Sequence, residues 1–221
     1  KMNFLQTSIG KKVQIAISGL LLSLFLVFHL SNNLILFLGK NNFNNMVSFL
    51  ESIKPLIRVM EFGLLFILLM HVITSVTLAI KNNQRRPDKY KVYNQRDSSS
   101  VNSRTMIFSG VIVLLFLVFH LWYIWGAYQS HTFMLNQTYY EVLLRSDFGY
   151  LNNIWTACFY IIAIILIGFH LKHGFESAFK SLGLIKTSNL NLVSRIAFIF
   201  WGIIPFGFII IILAIQTGYI Q

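Results

Sequence analysis

LFLVFHL at Leu24–Leu30 occurs a second time at Leu115–Leu121, and each copy closes a continuous apolar run with a histidine. Extended towards the N-terminus, the match becomes SGLLLSLFLVFHL against SGVIVLLFLVFHL. Nine of thirteen positions are identical, and Ser18-Gly19 aligns with Ser109-Gly110. Two helices therefore present a histidine at the same place. The rest of the chain reads as what is needed to set those two histidines, and two more, within a membrane.

Of the 221 residues 56% are hydrophobic and 11% charged, and the mean hydropathy is +0.66. A water-soluble domain of this length could not sustain that balance. Five stretches are long enough to cross roughly 30 Å of hydrocarbon as helices: about 13–38, 57–80, 105–128, 154–171 and 195–217. Backbone polarity in lipid demands helices, and the runs are too long and too evenly apolar for barrel strands. The expected fold class is an all-α membrane protein, a single membrane domain over residues 1–221. The first span is longer than a signal-peptide core and no small-residue cleavage site follows it, so it is read as a retained helix. Cys158 stands alone in the fourth span and can form no internal disulfide.

The net charge of +11 is distributed by loop. Lys1, Lys11 and Lys12 precede the first span. Lys81, Arg85, Arg86, Lys89, Lys91, Arg96 and Arg104 lie between the second and third, and Lys172, Lys180, Lys186 and Arg195 between the fourth and fifth. The other loops are poor in positive charge, which places the N-terminus in the cytoplasm and the C-terminus outside. The basic loops read as topology and lipid contact, or as these together with the seat of a peripheral partner. No nucleic-acid partner is implied.

The histidines fall at two depths. His29 comes 17 residues after Lys12 and His120 comes 16 after Arg104, roughly 25 Å along a helix axis and so in the outer half. His71 precedes Lys81 by 10 residues and His170 precedes Lys180 by 10, about 15 Å from the inner boundary. The first four helices thus form two copies of one hairpin, a parallel internal repeat. A short surface helix over 46–53, carrying Glu51 and ended by Pro55, is expected in the first outside loop, and an interfacial turn or helix in the second. The fifth span, with Trp201 and Pro205, reads as a kinked closing helix.

A lone intramembrane histidine is often an interhelical hydrogen-bonding group. Four, one per helix and paired by depth, point to a ligand set. Neutral imidazoles from two helices bind one haem iron from both faces, so the pairs His29 with His120 and His71 with His170 predict two haems b. No Cys-x-x-Cys-His is present for covalent attachment. A single tetrahedral zinc site is disfavoured by the difference in depth and by the lack of cysteine or carboxylate partners. His173 is the competing ligand to His170; on depth His170 is preferred, and His173 is assigned to a propionate contact or a partner surface. Gln14, Ser18, Arg104 and Lys180 are the inner-side candidates for propionate binding. His131, in an outer loop, reads as solvated.

This pattern resembles the di-haem cytochrome b membrane anchor of succinate dehydrogenase and quinol:fumarate reductase, in its single-chain, five-helix form. The resemblance lies in FHLSNNL (Phe28–Leu34), HVITSVTLAIKNNQRRPDKY (His71–Tyr90), NSRTMIFSG (Asn102–Gly110), FHLWYIWG (Phe119–Gly126) and FHLKHGFESAFKSLG (Phe169–Gly183). It covers all four histidine helices in the family's order. It implies that His29 and His120 hold the haem distal to the hydrophilic subunits and that His71 and His170 hold the proximal one, the spacing to Gly183 favouring His170 over His173. It further implies a flavoprotein subunit and an iron–sulfur subunit docked on the cytoplasmic face, with electrons relayed to or from a quinone, menaquinone being the guess. The single-chain form resembles bacterial enzymes and so implies the bacterial cytoplasmic membrane. Glu51 fits the family's acidic quinone-side residue, with Glu61 second and a solvated carboxylate the plain alternative. The glutamate that precedes the helix-four ligand in certain fumarate reductases has no counterpart, since Leu166, Ile167, Gly168 and Phe169 stand before His170.

Succinate oxidation is the preferred direction and fumarate reduction the alternative. The cytochrome anchor of another quinone-linked oxidoreductase, a haem-free proton-relay transporter and a haem-free structural anchor are the remaining readings. A transporter would call for acidic residues or broken helices within the spans, and the helix interiors show almost none.

Overall fold

Thr7 starts the first span: its hydroxyl accepts from the Gly10 amide at 3.0 Å, satisfying one of the donors a helix start leaves open. The structure, a computed structural model, describes residues 4–84, 98–126, 137–186 and 189–221, with the backbone alone for 98–105. His131 and the Arg104 side chain lie outside what is described.

The elements in chain order are α1 (Ser8–Leu34), α2 (Lys40–Ser52), α3 (Lys54–Gln84), α4 (Ser98–His120), α5 (Tyr139–Leu143), α6 (Ile154–Ser181), α7 (Leu190–Phe198) and α8 (Ile204–Gln216). A 3₁₀ turn, Ile35–Leu38, extends α1, and π turns Leu121–Gly126 and Ile199–Ile203 extend α4 and join α7 to α8. Among the described residues the structure is 86% helical and has no strand. Five helices among the described residues are long and apolar enough to cross a membrane: Ser8–Leu38, Lys54–Gln84, Met106–Gly126, Ile154–Ser181 and Leu190–Gln216. They leave Phe62, Phe66, Phe108, Trp155 and Phe206 exposed, a surface suited to lipid and not to water.

The helices overrun the apolar stretches. The surface helix expected at 46–53 is the longer α2, and α6 continues past Leu171 for nearly three more turns because Phe175 and Ala178 stay buried. Lys172, His173 and Lys180 are therefore helical, which corrects the assignment of the two lysines to a loop. Gly183 explains where α6 stops: at φ +69 it lets the Gly183 amide reach Lys180 O at 3.1 Å and the Leu184 amide reach Phe179 O at 3.0 Å. That is the paired 5→2 and 6→1 closure that glycine permits.

α1 packs against α3, α6 and α8, and α4 packs against α6. The two hairpins, α1–α3 and α4–α6, are thus joined through α1 and α6, with the last span behind them. The densest core lies at the Lys40 end, where Leu36, Phe43, Tyr140, Val142, Ile211 and Ile215 are buried together and the Tyr140 hydroxyl donates to Gln221 O at 2.7 Å.

Pro205 lies in the first turn of α8, just after the π turn Ile199–Ile203 that interrupts the fifth span. It has no N–H to give to the Trp201 carbonyl four residues earlier. That carbonyl lies 3.0 Å from where a Cβ on Gly168 would stand. A side chain there would have to push that carbonyl aside, and α6 and the last span pack closely two residues before His170.

Candidate functional site

On α1, Ser18 and His29 are 11 residues apart, and on α4 so are Ser109 and His120. Eleven residues are close to three helical turns, so serine and histidine share a face with roughly 16 Å of rise between them. α1 and α4 therefore present the same two groups at the same two levels.

At the level nearer Lys40, His29 and His120 meet. Their ring centroids are 5.9 Å apart with the planes at 79°. The repeated motif also places a phenylalanine four residues before each histidine, the spacing at which side chains stack along a helix. Phe25 stacks on His29 at 5.4 Å and Phe116 on His120 at 5.8 Å. The last span closes this level, with the Phe208 ring 5.4 Å from His29. The Tyr160 hydroxyl from α6 lies 3.2 Å from His120 Nδ1. Asn33 Nδ2 donates to His29 O at 2.7 Å and reaches His29 Nδ1 only at 3.5 Å.

At the level nearer Lys81, the two hairpins make the same contact twice. Ser18 Oγ lies 3.0 Å from His71 Nδ1, and Ser109 Oγ lies 3.0 Å from His170 Nδ1. The glycine after each serine lets the ring in: a Cβ on Gly19 would stand 3.2 Å from His71 Cε1, and one on Gly110 3.4 Å from His170 Cε1. His71 and His173 are both near enough to His170 to act on it electrostatically. All four paired imidazoles are half-buried.

Two imidazoles that each bind one ion at roughly 2 Å place their ring centroids roughly 6 Å apart, so the His29–His120 separation suits a shared iron. Among the described residues no three His, Cys, Asp or Glu side chains converge on one point. His29 and His120 form one such pair, with ring centroids 5.9 Å apart.

The other sequence candidates are placed differently. Ser18 is fully buried, with its hydroxyl used on His71 and on Gln14 O at 2.7 Å. Gln14 Nε2 donates to Leu5 O at 2.8 Å, tying down the N-terminal turn. His173 is half-buried beside His170, and Lys180 is exposed in the last turn of α6. Glu51 is exposed on α2. Glu61, at the start of α3, pairs with Arg58 Nη1 at 2.6 Å and accepts from Trp125 Nε1 at 3.2 Å, with Arg58 over the Trp125 ring at 5.7 Å.

Besides Phe25, Phe116 and Asn33, four residues that sequence reasoning did not select touch the site or its neighbourhood: Ser109, Tyr160, Phe208 and Trp125. Ser109 carried a signal, since it aligns with Ser18 in the repeat. The other three stand outside the repeat and carried none. Compared with known proteins, the chain matches no family model, no curated protein and no solved structure.

Proposed function

We propose that the chain is a di-haem cytochrome b that anchors a succinate:quinone oxidoreductase in the bacterial cytoplasmic membrane, N-terminus inside. The observation that carries this reading is the 5.9 Å approach of His29 and His120, one from each hairpin. His29 and His120 would hold one haem, and His71 and His170 the second. Bound haem supplies one-electron transfer at a potential set by its ligands and their surroundings.

The protein's own part is to aim four imidazoles, exclude water with Phe25, Phe116 and Phe208, and hold protons where quinone reacts. That place is the Lys40 end. Glu61, tied to Arg58 and Trp125 five residues beyond His120, is a carboxylate fixed near the His29–His120 level; Glu51, on the surface helix, is the alternative proton carrier. Menaquinone is the proposed quinone. The flavoprotein and iron–sulfur subunits would dock at the Lys81 end, on the side of His71 and His170, and the complex would oxidise succinate, or reduce fumarate if its potentials run the other way.

The deciding experiment is a dithionite-reduced minus oxidised spectrum with pyridine haemochrome quantification on the purified protein, H29A and H71A. Two haems b per chain, with each substitution removing or perturbing a different one, support the reading. A well-folded parent without haem overturns it.

A further inference from the structure

We infer that Ser18 and Ser109 are positioning residues that hold His71 and His170 with Nδ1 protonated and Nε2 bare for a metal. A serine hydroxyl has one hydrogen to give. Ser18 Oγ lies 2.7 Å from Gln14 O and 3.2 Å from Ile15 O, so that hydrogen points along its own helix. Ser109 Oγ lies 3.1 Å from Met106 O in the same way. With the hydroxyl hydrogen so directed, each oxygen turns a lone pair to the imidazole 3.0 Å away, and the ring nitrogen opposite it acts as the donor. A neutral imidazole with its hydrogen on Nδ1 has Nε2 free to bind.

Gly19 completes the arrangement at His71, because a Cβ there would crowd Cε1, between the two nitrogens, at 3.2 Å, while one on Gly110 would meet His170 Cε1 in ordinary contact at 3.4 Å. The device is specific to one level. His29 and His120 meet an amide and a phenol at Nδ1, and no serine. A histidine ligand that donates its other N–H is a stronger base towards the metal and favours the more highly charged ferric state. The two serines therefore lower the potential of the haem on the Lys81 side relative to its form without them.

This inference rests on the haem reading, and the test separates the two. The midpoint potentials of both haems are titrated in the reconstituted protein for the parent, S18A, S109A, S109T and S23A. Ser23 is the control, since its buried hydroxyl is used on Gly19 O at 2.8 Å and touches no histidine. The expected result is a positive shift of one haem only in S18A and in S109A, with a changed low-spin electron paramagnetic resonance signal for that haem. A tenfold change in the ferric-to-ferrous affinity ratio would appear as a shift of about 59 mV for one electron. S109T, which restores a hydroxyl at the less buried site, returns the parent value, and S23A leaves both haems unmoved. Loss of that one haem alone in an alanine variant supports the inference equally. Equal shifts of both haems, no shift, or loss of both haems in the alanine variants overturns it while the haem reading stands. A parent without haem overturns both.

Discussion

Lys40 Nζ lies 2.7 Å from Glu141 Oε1, an ion pair across 101 residues that joins α2 to α5. Glu141 also accepts from the Thr138 amide at 2.7 Å, and Thr138 caps α5 in return. Lys40 first, and then the Thr138 bonds, pull the Glu141 carboxyl down to about 2. A carboxyl whose folded value lies below its unfolded one stabilises the fold above the unfolded value of 4.5 and loses that contribution as pH falls towards 2.

Thermal unfolding of the detergent-solubilised protein should therefore fall more steeply between pH 4.5 and 2 for the parent than for E141Q. Glutamine keeps the cap and loses the charge pair, and because both side chains are about half exposed, E141Q should cost under about 1 kcal/mol at neutral pH. Equal acid profiles would show that the pair contributes nothing.

Gly168→Ala tests the close packing of α6 and the last span. Alanine is the better helix former by about 1 kcal/mol, while a Cβ placed 3.0 Å from Trp201 O must push carbonyl or helix aside, at a typical cost of about 1–3 kcal/mol. The expected net outcome is a loss of about 1 kcal/mol in thermal stability. A more stable variant would mean that the interface yields freely.

Tyr160→Phe removes the hydroxyl beside His120 and keeps the ring among Phe116, Phe119 and Phe159. Loss of one hydrogen bond predicts a stability cost of about 1 kcal/mol. In the haem reading, the spectrum of the His29–His120 haem should change and the other should not, as read by low-temperature difference spectroscopy.

Phe208→Ala takes away the only ring that the last span sets within 5.4 Å of His29 among the described contacts. The loss of an aromatic contact predicts about 0.5–1.5 kcal/mol. It should loosen His29 and leave His71 alone, which selective retention of one haem on heating would reveal.

The spans could be read from the sequence because they depend on periodicity and length, which lipid enforces strictly. The repeat paired His29 with His120, and the structure brings those rings together. Ser18 was selected for its depth as a propionate contact, yet its hydroxyl is within a bond's reach of His71. Depth along a helix is legible in one dimension, whereas facing is fixed only when a second helix arrives. Tyr160 and Phe208 show the same limit: each is one aromatic residue among many in an apolar run until α6 and the last span are placed. The end of α6 was misjudged because hydropathy stops at the lipid boundary, while the helix follows its buried face to the glycine that can turn it.

The Ser18–His71 and Ser109–His170 contacts each lie inside one hairpin, while His29 and His120 belong to different hairpins. Each half of the chain thus prepares its own members in advance and completes neither pair alone. A protein severed between Gln84 and Ser98 would consist of two unfinished halves. Whatever ion or cofactor satisfies His29 and His120 would then act as the stitch between them, and joining the fragments would be a measure of how well it fits.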